Sequence, residues 1–261
     1  MDSFSSFFDS SNRNGWSYES LKNFRQISPV VQTHLKKVYL TLCCALVASA
    51  VGVCLDLAWH IGGLLTMMGC MGCIFWVFSV PQYEEKKRLS ILMGSSLLQG
   101  ASIGPLIDLV LQVDPSILIS AFVGTAIAFA CFSVAAMLAK RREYLYLGGL
   151  LSSGLSILFW LQLASSIFGG SAAMFKFELY FGLLLFVGYM VVDTQKIIES
   201  AHLGDLDYVK HALTLFSDFV AVFVRILVIL LKNSSEKEKK KKEEELKCFT
   251  GTLVKYFCTN L

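Results

Sequence analysis

The chain has 261 residues, of which 55% are hydrophobic and 16% charged, and its net charge is +3. One soluble core of that size cannot bury so much apolar side chain, so the composition excludes a water-soluble globule and demands lipid as part of the solvent. Apolar runs are not of alternating period two, which argues against a β-barrel as well.

Residues 1–35 read as a polar N-terminal tail with scattered aromatics such as Phe4, Trp16 and Phe24. No basic start followed by an apolar core and a small-residue cleavage site is present, so the first span is expected to act as the targeting element. Mostly apolar runs then follow at 38–59, 61–80, 89–111, 117–139, 144–167 and 175–192, each about long enough to span as a helix. A further run, 213–231, contains Asp218 and Arg225. The expected fold is all-α: a polytopic bundle over residues 36–232 with six transmembrane helices plus a seventh, C-terminal helix that either spans or re-enters.

Basic residues mark the turns. Lys22, Arg25, Lys36 and Lys37 precede the first span, Lys86, Lys87 and Arg88 follow the second, and Lys140, Arg141 and Arg142 follow the fourth. The intervening turns carry Asp56, Asp108 and Asp114 instead, and this alternation predicts a cytosolic N-terminus. Residues 233–261 form a lysine-rich tail with a block at Lys237 and Lys239 to Lys242, which by the same rule also favours the cytosol. Two cytosolic ends require an even count, so 213–231 is expected to be re-entrant or only partly inserted. Residues 232–261 hold eight Lys and five Glu, so the whole charge excess sits there. Such a block is either simply solvated or drawn to anionic lipid or an acidic partner such as calmodulin.

Small residues suggest where helices touch. Gly100 and Gly104, followed by Pro105, and the group Gly148, Gly149, Ser152, Ser153 and Gly154 allow close backbone approach in lipid. Pro105 also offers a way to free carbonyls toward a cavity. Six cysteines, among them the Cys70 and Cys73 pair, lie in or beside apolar runs and read as small hydrophobes, with no metal site expected. The terminal Cys258-Thr259-Asn260-Leu261 is formally a prenylation box with poor residues at its aliphatic positions. Catalysis has no support: the four histidines lie outside the apolar cores and no G-x-S-x-G, H-E-x-x-H or P-loop occurs.

The charges inside apolar runs are the strongest functional signal. An ionised group in hydrocarbon costs several kcal/mol, so intramembrane charges face a bundle interior or a wet path. Asp193 closes one run, and Asp218 and Arg225 stand about two turns apart on one face of the next. Arg225 is a candidate charge partner, and the alternative is that Asp218 and Arg225 are a satisfied pair that only holds helices together.

At these residues the chain resembles the Bax inhibitor-1 family. The segments that carry the likeness are Gln99 to Leu106, Asp114-Pro115-Ser116-Ile117, Arg141-Arg142-Glu143-Tyr144 with Gly148 to Ser156, Gly188 to Gln195, and Asp218-Phe219. The match runs from about residue 20 to 235, and the wording of the loops is similar to that of the plant, endoplasmic reticulum members. The resemblance implies six or seven helices, a pH-sensitive calcium leak with calcium as the permeant ion and no cofactor, and suppression of stress-induced cell death. It also implies that Asp193 and Asp218 sense protons together. In bacterial relatives an arginine ending the second span latches onto that pair, whereas this span ends Phe78-Ser79-Val80-Pro81, with Lys86, Lys87 and Arg88 beyond it. Membrane lipid and other membrane or cell-death proteins are the expected partners, and nucleic acid is not. The rival function is a non-conducting membrane scaffold that suppresses cell death through those proteins.

Overall fold

The computed structural model describes residues 29–138 and 147–259, with side chains as far as Glu236. The expectations for the tail before residue 29, for Lys140, Arg141 and Arg142, and for the side chains of the lysine block and the terminal Cys258 lie outside the described residues. Among those described, the chain forms seven helices and no strand. They are α1 (Pro29–Trp59), α2 (Leu64–Ser79), α3 (Glu85–Val113), α4 (Pro115–Leu138), α5 (Leu147–Phe168), α6 (Ala172–His202) and α7 (Tyr208–Thr259). Six are long and apolar enough to cross a bilayer: α1, α3, α4, α5, α6 and the Tyr208–Glu236 part of α7. This is a multi-pass membrane protein.

Local chemistry sets the helix ends. Between α3 and α4, the Asp114 carboxylate accepts the Ser116 backbone N–H at 2.9 Å, and Pro115 takes the first helical position, where a missing N–H costs nothing. That bond, together with contact from the Ser116 side chain, holds the exposed Asp114 carboxyl below the usual carboxylate range. At the start of α6 the Ser171 hydroxyl oxygen accepts from the Met174 N–H at 3.2 Å. At the start of α2, Thr66 Oγ1 accepts from the Gly63 N–H at 3.0 Å.

The helices run alternately between two ends of the bundle. At the first end, Lys37 of α1 lies over the Tyr208 ring of α7 at 5.9 Å, and Arg88 of α3 donates through Nε to the Val77 carbonyl near the end of α2. At the second end, the Asp56 carboxylate in the last turns of α1 accepts the Gly62 N–H, Lys232 of α7 lies over the Phe175 ring of α6 at 4.9 Å, and Lys176 pairs with Glu236 at 3.3 Å. Thus α2 starts at the second end and finishes at the first, although 16 residues make it only about 24 Å long. And α7 enters at the first end and leaves at the second.

This corrects the expectation for 213–231. The segment neither re-enters nor stops short: it lies inside one uninterrupted helix. It is also the axis of the bundle, packing on α6, α1, α4 and α3, and 44% of its most apolar window is buried, against 17–33% for the other long helices. Its charges made it look poorly suited to lipid, but most of its contacts are with protein. With seven alternating helices the two termini of the bundle leave at opposite ends, so the even count does not hold. The short helix is α2.

Close backbone contacts fall where the small residues predicted one of them. A side chain on Gly100 would enter the Ser49 carbonyl of α1, and one on Gly52 would enter the Leu97 carbonyl of α3, so these two glycines let α1 and α3 touch backbone to backbone. In α5 only Gly154 is so used: a methyl there would lie 2.6 Å from the Leu185 side chain of α6. Ser152 and Ser153 are exposed and donate to carbonyls of their own helix. α3 continues through Pro105, and Gly62 in the α1–α2 turn sits against the Ala101 carbonyl that loses its helical donor.

Candidate functional site

Asp193 projects from α6 and Asp218 from α7, the helices that pair most intimately with each other in the second half of the chain. Asp193 is nine residues before the end of α6, and Asp218 ten residues after the start of α7. Each therefore lies about 14 Å from the first end of the bundle, close to the middle of a ~30 Å hydrocarbon layer. The two carboxyls face each other, near enough for one to donate to the other when a proton is present. Asp218 is 6% exposed, and its Oδ2 is buried without a donor. Asp193 is half-buried, with the exposed Lys196 one turn further along α6. Next to it, buried Thr194 and Gln195 spend their side chains on the Met190 and Ala136 carbonyls. The structure thus brings the two predicted aspartates together.

Arg225 does not join them. Its guanidinium lies over the Phe186 ring, with 4.2 Å from Cζ to the centroid, and Nη1 donates to the Ala221 carbonyl at 3.0 Å. No ion pair joins it to either aspartate among the described residues. Seven residues put Asp218 and Arg225 on one face but about 10 Å apart along the axis, and the arginine side chain folds back only one turn.

Two polar clusters at the first end escaped the sequence reading. Arg88 Nη1 lies 2.7 Å from Asp207 Oδ2, and the two side chains are 5% and 3% exposed. Beside this pair His34 Nε2 and His211 Nδ1 are 2.9 Å apart, both rings buried, so one nitrogen donates and the other accepts. Arg88 was the last of three consecutive basic residues, and both histidines sat outside the apolar cores. The basic residue at the α2–α3 turn thus pairs with the start of α7 and not with the aspartates. No three His, Cys, Asp or Glu side chains gather as a metal set among the described residues.

Comparison with known proteins agrees with this architecture. The model of the family described as inhibitor of apoptosis-promoting Bax1 matches residues 31–235. The protein is 74% identical over 231 residues to a Bax inhibitor 1 of Arabidopsis thaliana, covering 88% of this chain and 94% of that one. It is 71% identical over 216 residues to the Bax inhibitor 1 of Oryza sativa subsp. japonica, covering 83% and 87%. The Bax inhibitor 1 of Homo sapiens is 40% identical over 217 residues, covering 82% and 91%. A seven-helix bundle with paired aspartates on its last two helices, matched over residues 31–235, belongs to the Bax inhibitor-1 family, the inhibitors of apoptosis-promoting Bax1.

Proposed function

We propose that this protein is a pH-sensitive calcium leak, or a regulator of calcium homeostasis, in the endoplasmic reticulum membrane, and that it suppresses stress-induced programmed cell death. The cell-death part is supported by the family's description and by the names of its relatives. The observation that carries the ion-handling part is the facing of Asp193 and Asp218 near mid-bundle, with one Asp218 oxygen buried and unpartnered.

Two carboxylates in a low-dielectric bundle cannot both ionise cheaply, so the pair shares a proton. Stripped of that proton, the pair offers several negative oxygens to a hard divalent cation, the permeant ion of this reading, or lets α7 shift against α6. Protonated, it loses that attraction. The first end of the bundle faces the cytosol on this reading, because Lys36, Lys37, Lys86, Lys87 and Arg88 collect there.

The test is calcium flux through proteoliposomes at several pH values. Asp193→Asn and Asp218→Asn should each flatten the pH dependence, and the double variant should add little, because a shared proton makes one unit of two sites. Additive, independent effects would count against the pair, and pH-independent flux in the wild type would dismiss the sensor.

A further inference from the structure

Arg225 is seated with care and left without a countercharge. α6 gives up a side chain for it at Gly182, where a methyl would lie 2.5 Å from Nε and 3.2 Å from Cζ. One turn on, Phe186 covers the guanidinium face. Of its five N–H groups, one bond to protein is formed, to the Ala221 carbonyl, and no carboxylate pairs with it among the described residues. A guanidinium held partly out of water without an anion is costly, and such residues mark function by default.

Two cavities meet at this side chain. One, of about 280 Å³ between α2, α3 and α7, is lined by Ser95, Gln99 and Ser217. The other, of about 560 Å³ between α5, α6 and α7, is lined by Ser152, Ser156 and Gln162 on its polar side and by Leu155, Phe159 and Phe186 on its apolar side. The second cavity is amphipathic, and its α5 wall belongs to the least buried of the long helices. Leu155 and Phe159 are exposed on the outer surface of that wall, where lipid chains run. Arg225 stands seven residues before Lys232, about 10 Å below the second end of the bundle, so a head group reaching down from that interface can meet it.

We propose that Arg225 and the α5–α6–α7 cavity form a binding site for a lipid-borne oxyanion, with the carboxylate or phosphate on the guanidinium and an acyl chain along Leu155 and Phe159. The planar fork of arginine matches either oxyanion through two parallel hydrogen bonds. Gln162 adds an amide donor at the cavity's polar side. This site stands independently of the calcium reading, since it uses neither aspartate.

The experiment uses the full chain in nanodiscs of zwitterionic phosphatidylcholine and a diazirine-bearing palmitate, with cross-linked peptides located by mass spectrometry. Labelling should fall on α5 and α6 and be competed by oleate but not by acetate at equal ionic strength. Arg225→Gln should cut labelling at least fivefold. Ser156→Leu, which fills the cavity from an exposed position and keeps the charge, should do the same even if Arg225→Gln does not fold. Labelling of those peptides that survives Ser156→Leu unchanged, or competition by acetate equal to that by oleate, overturns the proposal.

Discussion

At the scale of single residues, burial decides which charges matter. Arg88 and Asp207 are almost wholly enclosed, and Arg88 also donates to the Val77 carbonyl, so removing either partner strands the other in a dry site. Arg88→Met or Asp207→Asn should each cost about 3–5 kcal/mol, whereas Arg88→Met with Asp207→Leu should recover most of that loss, because no charge is then left unpaired. Unfolding in mixed micelles measures this; single variants no less stable than the wild type would show that the pair contributes nothing. Asp193 and Asp218 were legible in the sequence because a charge inside an apolar run is expensive wherever it falls. Arg88, Asp207, His34 and His211 were not. They sit at the ends of runs, where polar residues are ordinarily solvated, and only the meeting of α1, α3 and α7 buries them. Asp56 is similar: read as a turn residue, it is 2% exposed and closes against Gly62 and Gly104.

At the scale of helices, seven apolar runs were visible and seven helices formed, yet the sequence pointed to the wrong one as exceptional. Hydropathy measures compatibility with lipid, and α7 has its interior contacts with α6, α1, α4 and α3, so charges there are tolerated. The pairing of α1 with α3 was half legible. Gly100 and Gly104 announced a close contact, but nothing local named Gly52 as the residue on the other side. Gly100→Leu should wedge the two backbones apart, since the Ser49 carbonyl in its path belongs to a helix and cannot swing away. Overpacking of a yielding site costs about 1–3 kcal/mol, and an unyielding one should exceed that. Gly72→Ala in α2, with nothing within 4 Å, should instead be neutral or gain up to about 1 kcal/mol from helix propensity. Equal unfolding midpoints for the two variants would mean that the α1–α3 contact is loose.

At the scale of the whole molecule, the arrangement of ends makes a prediction opposite to the one the lysines suggest. The tail block alone favours the cytosol, and it does so through the same rule that places Lys36, Lys37, Lys86, Lys87 and Arg88 there. Both cannot be satisfied, because α2 and α7 each run from one end of the bundle to the other. α7 is fixed by its central packing, and Lys176 with Glu236 ties its far part to the start of α6. The basic residues at the first end are distributed over several turns, and those in the tail lie among five Glu beyond the apolar part of α7. Packing therefore wins over the final charge block. A glycosylation acceptor placed after residue 245 should be modified in microsomes, while one placed within residues 1–28 should not. An unmodified acceptor after residue 245, in protein whose α3–α4 turn does accept a glycan, would show that α7 fails to cross and would restore the even count.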